Sequence, residues 1–452
     1  MNIDILTIEI GSTITKINAF DNMNKEPVHL GQALDLTTVE QGDVSIGVEK
    51  AINNLEKDLG EKINASEYLI NSSAAGGLKM AVQGLTHDMT AKAAREASLG
   101  AGAIIRYIGS GKIADWQLEE IREISPNILL LAGGLDYGDT EITLENAKRI
   151  ASLDLDIPLI YAGNSQLVKP VTKIFSDTLF KLSITDNVYP DVDNLNTFPA
   201  RRIIQQTFSE HIIHSEGMEK LSGLTRKEVI PTPYAVLKIT EYLYEHTGPT
   251  TVIDVGGATT DIHSVCEDLP ENSVKRIEPE PVSKRTVEGD LGVYINAENL
   301  NSIKDRFNDY CGDLKLLKPM PGTEKEVALS ASLTEKAVNI ALRRHCGRKK
   351  VVFGPSGKKE YITGKDLSGV KFLIGTGGAL TRLDNTRNIL KKQILAEHDP
   401  SDILLPRGNV RCLTDHRYIF SSLGTIAFHN PGLDLRVLIA QSTGLEDICI
   451  RG

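Results

Sequence analysis

Apolar residues run almost unbroken through "NIDILTIEI" (2–10), halt at Gly11, and resume in "ITKINAF" (14–20). Two such runs around a Gly11-Ser12-Thr13 turn predict a hairpin of short strands, and a third strand is expected near 27–34. "VSIGVEKAINNLEKDLG" (44–60) spaces its apolar residues at helical intervals and stops on Gly60, which predicts an amphipathic helix. "EYLINSSAAGG" (67–77) reads as a strand entering a small-residue turn. "DMTAKAAREASLGAG" (88–102) reads as an Ala-rich helix with Asp88 as its N-cap. From about residue 103 the rhythm becomes strand–turn–helix, as in "NILLLAGGLDYGDTEITLENAKRIASL" and "IPLIYAGNSQLVKPVTKIF". Wholly apolar strands, each followed by a helix, predict a parallel sheet covered on both faces.

The opening pattern returns at "TTVIDVGGATTDIHSV" (250–265), where an apolar run again carries a carboxylate just before a glycine turn. A third apolar strand with a Gly-rich end is "VKFLIGTGGALTRLDN" (370–385). The expected fold class is therefore α/β. The expected division is a first-lobe segment at 1–102, an α/β insert at 103–200 and connecting helices at 201–249. A second lobe follows at 250–400, and a return to the first lobe at 401–452.

The two acidic hairpins carry the chemistry. A strand that turns on glycine exposes consecutive backbone N–H groups, which attract phosphate oxygens. A carboxylate one or two residues earlier would repel phosphate directly, but can reach it through Mg²⁺ and its waters. In the first hairpin these parts are Glu9, Gly11, Ser12, Thr13, Thr15 and Lys16. In the second they are Asp254, Gly256, Gly257, Ala258, Thr259, Thr260 and Asp261. Lys16 can place a point charge on a β- or γ-phosphate, and the hydroxyls add donors. Either hairpin alone is a common polar turn. Together, facing each other, they would clamp a triphosphate, with Glu9 and Asp254 as candidate Mg²⁺ holders. Gly375, Thr376, Gly377, Gly378 and Arg382 form a third turn placed where an adenosine would be framed. The stretch "TVEGDLG" (286–292), with Glu288 and Gly289, resembles the Gly-Glu-Asp turn after the second hairpin of Hsp70-like proteins, a resemblance that implies a place near the nucleotide.

Composition narrows the partners. A net charge of −10 disfavours nucleic acid and anionic membranes, which need a basic face. No apolar window spans a bilayer and no leader pattern is visible at the start, so a cytoplasmic protein is expected. The five cysteines are widely spaced and form no CxxC, so neither a disulfide framework nor an iron–sulfur or zinc site is expected. "IGSGK" (108–112) lacks the spacing of a P-loop. His211 and His214 lack a third ligand at metal spacing.

The order of phosphate hairpin, connecting helix (231–243), second phosphate hairpin, adenosine turn and second connecting helix (420–428) resembles the actin, Hsp70 and sugar-kinase superfamily. That resemblance implies a two-lobed, ribonuclease H-like ATPase using ATP and Mg²⁺, with Glu9, Asp254, Asp261 and Glu288 as the catalytic acids. The sequence departs from it in two places. Glu9 stands where Asp is usual, and Ile230 stands where Hsp70-like chaperones carry a Glu. "EIGSTITK", "SSAAGGLKM", "LLLAGGLDYGDTE", "RTVEGDLGVY" and "IGTGGALTRL" are spread over nearly the whole chain. They resemble the GlmL/MutL family of glutamate mutase accessory proteins. This implies an ATP-dependent reactivator whose partners are subunits of a B12-dependent mutase, with a homo-oligomer allowed. A metabolite kinase on the same fold, or a non-hydrolysing ATP-binding assembly protein, stays open at this point.

Overall fold

The computed structural model describes residues 1–38, 43–73, 78–213, 218, 221, 223–303, 313–354 and 357–449. His214, the His211 side chain and the last four residues of "SSAAGG" (74–77) lie outside them. In chain order the strands are β1 (Asn2–Ile10), β2 (Ile14–Asp21), β3 (Val28–Leu36), β4 (Asn64–Ser72), β5 (Lys79–Gly84) and β6 (Ile104–Ser110). They continue as β7 (Ile128–Leu131), β8 (Pro158–Tyr161), β9 (Lys181–Ile184), β10 (Ile230–Pro231), β11 (Thr250–Val255) and β12 (Thr260–Val265). The last are β13 (Ser283–Glu288), β14 (Arg348–Gly354), β15 (Gly357–Thr363), β16 (Phe372–Thr376) and β17 (Arg411–Thr414).

The chain divides into two units. The first comprises Met1–Ala74, Ile213–Ile277 and Val282–Gly452. It holds two five-stranded sheets, β10-β4-β1-β2-β3 and β13-β12-β11-β16-β17. Each is an antiparallel meander with parallel strands added beyond its first strand. The two sheets thus repeat one topology, which is the two-lobed α/β arrangement with a phosphate-type hairpin opening each half. The helix Thr232–Thr247 and the helix Phe420–His429 share one core with Ile5, Phe20 and Leu69 of the first sheet. A Cβ on Gly424 would lie 1.8 Å from the Ala235 carbonyl oxygen, so only glycine lets these two helices meet. The second sheet packs on Glu324–His345 through Leu333, Val338 and Leu342.

The second unit, Ala75–Ile212 with Glu278–Pro281, is a parallel sheet in the order β6-β5-β7-β8-β9. It begins well before residue 103, because β5 is an inner strand of its sheet, and it takes in most of the Phe198–Ile213 helix. The all-apolar strands are buried, as their composition requires. The cap of the Ala-rich helical region is Thr86, whose hydroxyl accepts from the Thr90 N–H. Asp88, the expected cap, instead sits exposed in the first turn and pairs with His87.

Two histidines of the first unit carry a testable consequence. Burial and the Arg417 charge lower His29 to about 4, and burial and the Lys227 charge lower His429 to about 4. The folded protein keeps both neutral where an unfolded chain protonates them near 6.5. Their stabilisation is complete above pH 6.5 and is lost as pH falls toward 4. We expect the gap in melting temperature between the parent and a His29→Asn/His429→Asn variant to shrink or reverse on going from pH 7.5 to 5. A gap independent of pH would refute this.

Candidate functional site

Both hairpins close in the same way. The Gly11 N–H donates to the Ile14 carbonyl at 3.0 Å, and the Gly256 N–H donates to the Thr259 carbonyl at 2.9 Å. A Cβ on Gly11 would stand 2.6 Å from the Ile14 oxygen, so this tight turn needs glycine. Among the described residues, the backbone N–H groups of Ser12, Thr13, Gly257 and Ala258 meet no protein acceptor. The turns approach each other: a Cβ built on Gly257 would lie 3.1 Å from Thr13 Oγ1. Between them opens a cleft of about 1240 Å³, counting the solvent at its mouth. Glu9, Gly11, Ser12 and Thr13 line it on one side. Asp254, Gly256, Gly257, Ala258, Thr259 and Asp261 line it on the other. Gly378 and Arg382 of the third turn complete the wall.

The same turn geometry fixes what faces each acid. A turn closed between Gly11 and Ile14 puts Glu9 opposite Lys16, and one closed between Gly256 and Thr259 puts Asp254 opposite Asp261. Cross-strand partners stand close enough for their side chains to interact. In the first hairpin the acid therefore meets a cation. Lys16 Nζ lies 2.8 Å from Glu9 Oε2, donates to Ser421 Oγ at 3.1 Å, and sits 3.3 Å from the Tyr418 ring centre. Ser421 Oγ also donates to Glu9. Lys16 is buried and does not line the cleft. In place of the point charge on phosphate expected from sequence, it neutralises Glu9.

In the second hairpin the acid meets an acid. Asp261 is neutralised by Arg285, whose Nη2 donates to Oδ1 at 2.6 Å and whose Nε donates to the same oxygen at 3.0 Å. Thr259 donates to its other oxygen at 2.9 Å. The Asp254 carboxylate has no hydrogen bond or ion pair to any described residue. Burial, then the Asp261 and Glu9 charges, push its carboxyl up to about 7. Gly377, with φ of +88°, packs against it; a Cβ there would lie 2.4 Å from Asp254 Oδ1. The third turn thus serves the second hairpin directly.

The remaining sequence-derived candidates are placed as follows. Thr15 is buried against Thr37, and Thr260 donates to the Leu291 carbonyl at 2.7 Å. Gly375 pairs in register with Ile253, and Thr376 donates to Asp415 at 2.9 Å. Glu288 is held by Arg344 at 2.6 Å, burial raises its carboxyl, and neither it nor Gly289 lines the cleft. The Gly289 carbonyl accepts from Asn296 at 2.8 Å.

Sequence reasoning missed Arg285, Tyr418, Ser421 and Thr232. Arg285 reaches Asp261 diagonally across β12 and β13, whose register pairs Asp261 with Val287. Tyr418 lines the cleft with a φ of +52°, a conformation uncommon outside glycine. Thr232 lines the cleft at the start of its helix and donates to Asn71 at 2.8 Å. Only the hairpin pairings of Glu9 with Lys16 and of Asp254 with Asp261 had a signal in the sequence.

No group of three or more His, Cys, Asp or Glu side chains among the described residues is arranged to hold a metal ion. The donor set fits a different kind of site. One uncompensated carboxylate beside free backbone donors suits a Mg²⁺ ion that arrives with phosphate and keeps most of its waters. No described helix is long and apolar enough to cross a membrane.

Comparison with known proteins gives the chain its relatives. "Protein MutL" of Clostridium tetanomorphum is 35% identical over 457 residues, covering 96% of this chain and 98% of that one. Among solved structures, a nucleotide-free acetone carboxylase aligns over 94% of this chain and 70% of its own, with 11% identity and a TM-score of 0.41. A nucleotide-free diol dehydratase-reactivating factor aligns over 94% and 99%, with 13% identity and a TM-score of 0.33. A xylulose kinase from Lactobacillus acidophilus aligns over 98% and 92%, with 11% identity and a TM-score of 0.31. The model of the MutL protein family matches residues 5–441, and with the identity to its curated relative this establishes that the chain belongs to that family.

Proposed function

We propose that the protein is an ATP-dependent reactivating factor for an adenosylcobalamin-dependent mutase, such as glutamate mutase or an aminomutase. In this role it promotes the release of damaged cobalamin. The observation that carries the nucleotide half is the uncompensated Asp254 carboxylate between two turns whose N–H groups lack acceptors. Phosphoryl transfer is catalysed mainly by positioning and charge stabilisation, and these are the parts such a cleft supplies. Gly11–Thr13 and Gly256–Thr259 would receive phosphate oxygens through backbone donors. Gly378 and Arg382 would frame the adenosine. Asp254 would hold Mg²⁺, directly or through water, and the ion would neutralise phosphate charge. Glu9 and Asp261, already paired, would orient water and keep the hairpins rigid. Because both sheets of the first unit contribute to the cleft wall, a ligand that contacts both favours the arrangement in which they hold it together.

The mutase half rests on membership in the MutL family and on the stretches that resemble glutamate mutase accessory proteins. The decisive experiment incubates inactivated, cobalamin-loaded mutase with this protein. Activity should return with ATP·Mg²⁺ and free cobalamin, and should not return with either protein or nucleotide alone. ATP consumption driven instead by a small hydroxylated metabolite would identify a kinase. Failure to bind ATP at millimolar concentration would remove the whole proposal.

A further inference from the structure

β14 and β15 form a two-stranded ribbon that belongs to none of the three five-stranded sheets. Its base is tied down. Arg348 bridges to Ile403, the Lys349 N–H donates to the Asp402 carbonyl, and Arg276 bridges to Ile362. Further out, no described strand pairs with the outer edge of β14 from Lys350 to Phe353. An isolated two-stranded ribbon is marginal in water, and an open apolar edge is a feature that folded proteins normally blunt or cover.

This ribbon is apolar where it should be polar. Phe353 is 79% exposed, and Val351 and Val352 are exposed beside it. Strand alternation puts Val352 on one face of the ribbon and Val351 with Phe353 on the other, so both faces are apolar toward the tip. The neighbouring segment runs along β15, where the Ile362 N–H donates to the Lys275 carbonyl, and it adds the exposed Val274 and Ile277. The ribbon is also basic. Arg348, Lys349, Lys350, Lys358 and Lys359 share the ribbon with a single acid, Glu360, and Arg348 pairs at its base with Asp402 at 3.4 Å, in a chain whose net charge is −10. Glu360 is shared by Lys275 and Lys358, and among the described residues no carboxylate lies within ion-pair distance of Lys350 or Lys359.

We propose that this ribbon is the arm by which the protein docks on an acidic, apolar-lined face of its protein partner, adding β14 as an edge strand. Main-chain donors and acceptors along the open edge would give affinity, the apolar side chains would fill pockets, and the lysines would select an acidic partner. An open ladder edge needs a partner's backbone, which a bilayer does not supply, and pairing β14 with β14 of a second copy would set the lysines of the two ribbons against each other. The inference rests on the proposed mutase partnership and deepens it by naming the surface used.

The test immobilises the full chain and titrates it with inactivated, cobalamin-loaded glutamate mutase and with an aminomutase, each with ATP·Mg²⁺ present. Two variants are compared with the parent, Val352→Ser/Phe353→Ser and Lys350→Glu/Lys359→Glu. All four positions are exposed, so ATP binding should match the parent and certify folding. The expected result is a Kd for the mutase at least ~10-fold weaker in both variants, with the charge variant also losing the salt dependence. Variants that bind the mutase as tightly as the parent overturn the arm and leave the mutase reading intact. A parent that binds ATP but neither mutase overturns both. A parent that sediments as a dimer while the variants are monomers gives the ribbon to self-association. Parent-only binding to phosphatidylserine vesicles gives it to a membrane. Either of the last two results overturns the proposal.

Discussion

Asp254→Asn is expected to lower ATP turnover by at least ~10²-fold while making the nucleotide-free protein more stable above pH 7. The two effects share one cause. The fold raises the Asp254 carboxyl from 3.8 to about 7, because burial and the nearby Asp261 and Glu9 charges oppose its ionisation. A group whose folded pKa is raised contributes stability that is fully present below the unfolded value and is lost as pH rises through the folded one. At pH 8 the carboxylate is charged in both states and strains the fold; at pH 5 it is protonated in the fold. The full shift corresponds to about 4 kcal/mol. Asp254 lines a solvent-filled cleft, so roughly 1–2 kcal/mol is the realistic gain for the amide. Thermal or urea unfolding of the two proteins at pH 5 and pH 8, without nucleotide, measures it. Equal stability at pH 8 would show that Asp254 is not strained. Full turnover in the variant would show that it does not serve phosphoryl transfer. This pH dependence has the opposite sign to that of the buried histidines, so each must be read as a difference between variant and parent.

The second large effect is expected at the other jaw. Lys16→Met removes the cation that faces the buried Glu9 carboxylate, and the loss of one partner from a buried pair costs about 3–5 kcal/mol. Glu9→Gln/Lys16→Met should recover most of that, because no uncompensated charge remains. Urea midpoints of the parent, both single variants and the double variant form a thermodynamic cycle that isolates the pair. Additive single effects would mean that the pair contributes nothing. ATP affinity of the double variant separates two roles for Lys16. If the lysine only neutralises Glu9, affinity stays near the parent's. If it leaves Glu9 for a phosphate when nucleotide binds, affinity falls although the fold is restored.

The jaws can be compared because their backbones match while their cross-strand partners differ. Much of this was legible in the chain. Apolar runs broken by glycine gave the hairpins β1–β2 and β11–β12, and the two connecting helices stood where the resemblance to the actin, Hsp70 and sugar-kinase superfamily implied them. The partner of each acid could also have been counted off from its turn, since a hairpin of known closure pairs residues symmetrically about it. The sequence assigns Lys16 to phosphate only while its charge counts as free; without nucleotide the residue directly opposite, Glu9, takes it.

The boundary of the α/β unit failed for a different reason. β5 follows a small-residue turn and is short, so locally it looks like the tail of the first lobe. Its partners, β6 and β7, lie beyond it in sequence, and pairing alone makes it an inner strand of another sheet. Asp88 failed as a cap because two capping residues stand in "LTHD", and only the path of the backbone puts the Thr86 hydroxyl over the Thr90 N–H.

By itself the sequence determined the local parts: which segments are strands, where glycine permits tight turns with exposed N–H groups, and which acids precede those turns. These follow from side-chain periodicity and backbone sterics within a few residues. Tertiary structure decided which of the acids stays chemically available. Arg285 silences Asp261 from a third strand, and Lys16, Ser421 and Tyr418 enclose Glu9 from both ends of the chain. Asp254 is left alone beneath Gly377. Charge compensation depends on distances of a few ångströms between residues far apart in sequence. No local pattern encodes those distances until the two sheets and their connecting helices have packed.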